Sequence, residues 1–436
     1  MKHLWTLVLA GSAFGGPVGD PAPATFYRDV LPVLQQHCQT CHRPGEAAPM
    51  SFLTFESTRP WAKGIRQAVL LKRMPPWSAD APHGTFANDP SLSPAEIETL
   101  VKWVDTGAQQ GDPGAAPHSI QFVEGWNIGR PDVVMEMPRA FNVPAAGAVE
   151  YQHVIMPTGF TEDRWVQAVE IRPGNRAAVH HIIAFVREPG SRWLRDALPG
   201  VPVLQDKNLA QLPLDEIPEF LLSYTPGRPP AGLPEGQARL IKAGSDIVLQ
   251  LHYTTNGKPA TDQSKIGFIF AKQRPAERVA TLPLLNPRFA IPPGDPNYRV
   301  DAAAVVQQPA RLLRMIPHMH QRGRTFEYRL ADADGPAEVL LRVPRYDFQW
   351  QHAYALAQPV TLKPGSRVEC TGWFDNSPNN PWNPNPNVEV HWGDQSWDEM
   401  MVGYIDVAVA ANAEPRRVLA PAAAAQITAT SAVKRN

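Results

Sequence analysis

Hydrophobic residues along most of the chain either alternate with polar ones or run together in short stretches: 149–156, 164–171, 179–186, 247–253, 266–270, 311–316, 326–330, 339–343, 367–374 and 402–409. Residues two apart on a strand share a face, so each stretch predicts a strand. Turn residues separate them, as in Arg172-Pro173-Gly174-Asn175 and Lys363-Pro364-Gly365. This is the pattern of antiparallel sandwiches, and we expect two all-β, jelly-roll-like ones over residues 119–272 and 273–410. The proline-rich stretch 190–236 reads as an irregular excursion, forming a wall or lid.

The pattern changes towards the N-terminus. Residues 26–36 carry Val30, Leu31, Val33 and Leu34 on one side of an expected helix, and 94–106 form a second, opened by Ser93 with Glu96 three residues on. A small all-α domain over 20–106 and a Pro/Gly-rich linker over 107–118 follow. Residues 1–19, with an apolar run from Leu4 to Phe14, read as a signal peptide and leader, placing the protein in a bacterial periplasm or outside the cell; left uncut, the run would act as a tether. No other run approaches the roughly 20 apolar residues of a membrane span, and the Ala-rich stretch 411–436 reads as a disordered tail.

Composition adds two exclusions. A net charge of -1 gives no electrostatic basis for binding nucleic acid or an anionic membrane. Three cysteines in 436 residues exclude a disulfide framework, and Cys370 reads as a small buried hydrophobe. The other two lie in Cys38-Gln39-Thr40-Cys41-His42, the attachment signature of c-type haem, with two thiols for the porphyrin and an imidazole for the iron. A thioredoxin-like pair would lack the trailing histidine.

Metal-ligand chemistry recurs further on. In Ile316-Pro317-His318-Met319-His320, strand geometry sets two imidazoles on one face. Met400, in Trp397-Asp398-Glu399-Met400-Met401, adds a thioether, and His with Met selects redox-active copper over zinc. His180 and His181 are adjacent, so one metal takes both only where the strand bulges or ends; His252 offers a third imidazole. His153, His352 and His391 read as structural.

Two resemblances follow from these motifs. The N-terminal segment resembles class I cytochrome c, which implies Met74, in a proline-stiffened loop, as second axial ligand; Met50 stands only eight residues past His42. The ordered series His-His, Leu-His-Tyr, His-x-His-Gln-Arg-Gly and Asp-Glu-Met with Tyr404 resembles the copper type II ascorbate-dependent monooxygenases, the family of the peptide-amidating hydroxylase and dopamine β-monooxygenase, over about residues 150–408. The resemblance implies that His180, His181 and His252 hold an electron-transfer copper. It implies that His318, His320 and Met400 hold the copper where dioxygen and substrate meet, with Tyr404 beside it.

The implied activity is hydroxylation of a C–H bond in a small organic substrate. Its electrons would come from an external donor, ascorbate or a redox protein, relayed through the fused haem. Two features depart from the family. The animal enzymes' disulfides are missing, and Ile316 stands where the peptide-amidating branch has a substrate-binding arginine, leaving Arg314 or Arg322 for another role. A haem and copper electron carrier without hydroxylase activity is the alternative, and a zinc hydrolase a third reading.

Overall fold

The computed structural model describes residues 23–46, 48–80, 82–204, 217–225, 230, 232–333 and 335–422. The expected signal peptide and the tail beyond 422 lie outside the described residues.

All ten expected strands form, with ends shifted by three residues or fewer. The fold is mostly sheet with a few short helices. Its principal sheet has eight strands, in the order Val133–Glu136, Lys265–Phe270, Arg164–Arg172, Gln237–Ile241, Glu277–Leu285, Val402–Ala410, Ala310–His318 and Tyr354–Leu362. The first four belong to one expected sandwich and the last four to the other. They join where Glu277 and Arg278 run parallel to Gln237 and Ala238.

A four-stranded sheet (Gln152–Pro157, Asp246–Tyr253, Val179–Arg187, Glu219–Tyr224) packs on the first half, around Met156, Ile171, Ile182, Leu249 and Phe268. A five-stranded sheet (Ala337–Val343, Gly323–Ala331, Arg367–Phe374, Tyr298–Val306, Leu419–Pro421) packs on the second half, around Leu312, Met315, Phe326, Tyr328 and Cys370. Cys370 is a buried core residue, as its surroundings in sequence suggest.

Strand alternation brings the two halves together. Ile182, Ala184 and Val186 point into the first core, so Ile183 and Phe185 point out of it. With Ile155, Val248 and Phe220 they meet Ile316 and Tyr404 of the second half. Burying such side chains contributes roughly 1.5–3 kcal/mol each. Glu219–Tyr224 makes part of this patch, so a core strand lies within the expected excursion 190–236.

The helical elements of residues 23–118 have their own core of Phe26, Leu34, Leu100 and Trp103. Pro94–Asp105 starts with the expected reciprocal cap: Ser93 Oγ accepts from Glu96 N at 3.3 Å, and Glu96 Oε2 accepts from Ser93 N at 2.7 Å. The first helix divides into a π-turn at Phe26–Val30 and an α-helix at Leu31–His37. Pro32 has no N–H to donate to the carbonyl four residues back, which breaks the α-helical ladder there.

Three boundaries differ from expectation. Residues 77–80 and 82–88 leave the helical core and lie on the second half, where Ala87 N donates to Ala355 O at 2.9 Å and Trp77 packs on Tyr354 at 4.7 Å. The linker start folds back instead of running free, with Gln109 O accepting from Phe26 N and Trp103 Nε1, both at 2.9 Å. Residues 411–422 are not a loose tail, because Leu419–Pro421 pairs with Tyr298–Val306. Among the described residues, no helix is long and apolar enough to cross a membrane.

Candidate metal centre

His181 and His252 are paired residues on neighbouring antiparallel strands, and both point away from the first core, in line with Ile183 and Val248. The ladder shifts register between Val179 and His181. That irregularity turns His180 to the same side, as a shared metal requires. The Nδ1 atoms of His180 and His181 are 3.1 Å apart, those of His181 and His252 3.4 Å, and the ligand atoms of all three lie within 4.8 Å of one another. His180 Nε2 meets Gln349 Oε1 at 2.6 Å, while His181 Nε2 is buried without a hydrogen-bond partner. Burial, and then the neighbouring imidazoles, hold His181 well below its ordinary range, and burial pushes His252 down to about 3. The three rings are therefore neutral, the form that binds metal.

The second pair sits where Ala310–His318 ends. Met319 and Met401 both pack into the second core, so His318 and His320, flanking Met319, face the other way. Met400, one step before Met401, is buried outside that core. Its backbone lies beside the histidines: His318 pairs with Val402, and His320 N donates to Glu399 Oε2 at 2.9 Å. Met401 thus belongs to the second core and Met400 does not.

The two rings have centroids 5.2 Å apart. His318 Nδ1 meets Gln351 Oε1 at 2.7 Å and His320 Nδ1 meets Asp398 O at 3.3 Å. Facing oxygen acceptors, each Nδ1 carries the proton of its neutral ring, which leaves Nε2 as a lone pair. His320 Nε2 is buried without a partner, and burial pushes His318 down to about 4. Glu399 accepts from both His320 N and Arg322 N, and burial pushes its carboxyl up to about 8.

Arg322 is a structural residue. Its guanidinium donates to Asn376 Oδ1 at 2.9 Å and Trp397 O at 2.8 Å. The Asn-rich loop 375–386 therefore holds Arg322, and its Trp382 is exposed at a separate cleft. His153 is paired with Gln250 at 3.1 Å, and His391 lies at the surface beside Glu389.

The two histidine sets share one compartment. The Phe348 ring lies 5.6 Å from His180, 6.0 Å from His252 and 5.9 Å from His320. Between the sets, His181, His318, Tyr404, Phe220 and Gln351 enclose about 20 Å3. The Tyr404 ring is 6.5 Å from His318, and burial raises its hydroxyl above the ordinary range. Phe348, Gln349 and Gln351 were not foreseen, since nothing in a loop's residue pattern reveals what it folds against.

In the N-terminal module, Cys38 caps Leu31–His37 and the following turn closes with His42 N donating to Cys38 O at 2.9 Å. The His42 ring stacks on Phe52 at 4.3 Å, with Nδ1 buried and unpartnered. Burial pushes the thiols of Cys38 and Cys41 up to about 12 and 11. Glu46 ties this turn to the first sandwich through Arg176. Met74 faces elsewhere, lining a cleft of about 890 Å3 with Trp77, Phe348, Gln349 and Trp350, a surface to which Cys38, Cys41 and His42 do not contribute.

No family model and no curated protein matches the chain. Among solved structures, a chain from infectious bursal disease virus Gx strain is similar at 9% identity and a TM-score of 0.19, over 70% of this chain and 78% of that one. A chain from the structure of the STIV MCP is similar at 10% identity and a TM-score of 0.19, over 56% and 95%. Likeness at that level carries no argument about this fold or its function.

Proposed function

We propose that the chain is a copper-dependent monooxygenase that hydroxylates a C–H bond of a small organic molecule with dioxygen, drawing electrons through a c-type haem. The observation that carries this is the pair of histidine sets around one compartment, in which His181 Nε2 and His320 Nε2 are buried without a hydrogen-bond partner. Such donors suit a cation, and the thioether of Met400 in the second set suits copper. His180, His181 and His252 would hold one ion, and His318, His320 and Met400 the other. Bound copper supplies one-electron chemistry at each site. Cys38, Cys41 and His42 have the chemistry to hold the haem, His42 with a buried nitrogen to spare.

The chain's own groups have definite tasks. Gln351 and the Asp398 carbonyl fix the proton of each imidazole at Nδ1. Tyr404, kept protonated by burial, faces the compartment beside His318 as a hydrogen-bond donor. The apolar patch around Phe220 and Ile316 keeps bulk water out. Phe348 and Gln349 touch the first histidine set and also line the cleft beside Met74. The donor to the N-terminal module would be ascorbate or a redox protein, met in the periplasm or outside the cell.

One observation favours a second reading, a haem and copper electron carrier without hydroxylase activity. The compartment of about 20 Å3 holds little more than a water molecule. Labelled dioxygen decides between them. Label in an organic product supports the monooxygenase, and oxygen consumption with label in water alone contradicts it.

A further inference from the structure

The compartment beside His318 continues into a larger cavity of about 330 Å3, with Phe220, Ser223, Ile316 and Gln351 lining both. That volume suits a small organic molecule. Strand register gives the cavity a direction. Arg314, Ile316 and His318 alternate on one strand and share a face, while Asp406 and Tyr404 stand opposite Arg314 and Ile316. At about 3.3 Å per residue, Arg314 lies roughly 13 Å along the sheet from His318.

The far end is charged. Buried Asp406 accepts from Thr281 Oγ1 at 2.5 Å and pairs with Arg239 at 3.1 Å. Arg239 is further tied to Thr281 Oγ1 at 3.0 Å. Arg314 reaches the same carboxylate only at 3.6 Å, with 30% of its side chain exposed. Among the described residues no other charged side chain lines the cavity, so two guanidiniums face one carboxylate. Arg314 is the more loosely held of the two and is partly exposed at the end of a passage lined mainly by apolar residues.

We propose that this cavity binds the substrate, and that the substrate is a small apolar-bodied carboxylate whose acid group pairs with Arg314 and whose body lies along Ile316 towards His318. A guanidinium with free donors matches a carboxylate's two oxygens, and the mostly buried setting strengthens the pairing. The part played by His318 rests on the hydroxylase reading, whereas the anion site does not.

Calorimetric titration of the copper-loaded full chain tests it, with 5-phenylpentanoate as probe and its primary amide as the neutral control. The acid is expected to bind about tenfold or more tightly than the amide. Arg314→Gln should abolish that preference, and Ile316→Trp should weaken both ligands by filling the passage. Equal binding of acid and amide, no binding of either, or an unchanged preference in Arg314→Gln overturns the proposal. Should Arg314→Gln fail to fold, the wild-type acid-to-amide ratio and its decline with added salt decide alone. Acid-selective binding without labelled product would leave the anion site standing and remove only the hydroxylase reading.

Discussion

His181 and His252 stand directly opposite each other on antiparallel strands, their Nδ1 atoms 3.4 Å apart, and His180 closes the group from a bulge one residue away. Three neutral imidazoles with neighbouring ring nitrogens offer a cation a ready set of donors. His181→Ala should therefore abolish copper binding at this set and leave the His318 set filled. Wild-type protein at a hundredfold excess of copper over the dissociation constant should gain about 2.7 kcal/mol per site. Thermal melts with and without copper will show that gain roughly halved in the variant.

Gln351 orients the second set through His318 Nδ1, 2.7 Å away. Removing a partner of this kind typically weakens metal binding about 10- to 100-fold. Gln351→Leu is expected to show that loss at the His318 set while the His180 set keeps its affinity. Chelator competition resolves the two sites.

Acid should destabilise the metal-free fold through His153. This ring is buried against Gln250, and burial pushes it down from 6.5 to about 4. The unfolded chain takes up the proton first as pH falls. The stabilising contribution is therefore complete above pH 6.5 and is lost as pH drops towards 4, by roughly 3 kcal/mol. Urea denaturation at stepped pH should show a shallower acid loss in His153→Gln.

Asp406 is buried between unequal partners, Arg239 at 3.1 Å and Arg314 at 3.6 Å. Removing one side of a buried pair strands the other and costs about 3–5 kcal/mol. Arg239→Leu should cost that much, and Arg314→Leu distinctly less because its side chain is partly exposed. Denaturation midpoints measure the difference.

The strands were legible in the sequence because each buries one face and so alternates, as in Val179–Arg187 and Arg367–Phe374. Strands such as Tyr354–Leu362, mostly half-buried or exposed and carrying Pro359, had no such signature. The histidines were legible by residue type, and the bulge that His180 and His181 require is present. Their common compartment was not, because it forms where two sandwiches meet, out of Phe348, Gln349 and Gln351 on a connecting loop. The resemblance to cytochrome c implies Met74 as an axial ligand, and its segment lines a cleft with Phe348 and Trp350. The apparent linker could not be recognised as ordered, since what fixes Gln109 is its backbone carbonyl.

Copper counted per polypeptide in the purified full-length protein, alongside His181→Ala and His318→Ala, tests the central claim most directly. Two ions in the parent and one in each variant are expected, with distinct electron paramagnetic resonance signals for the two that remain. One ion in the parent that either substitution removes, or no copper in the parent, would contradict it.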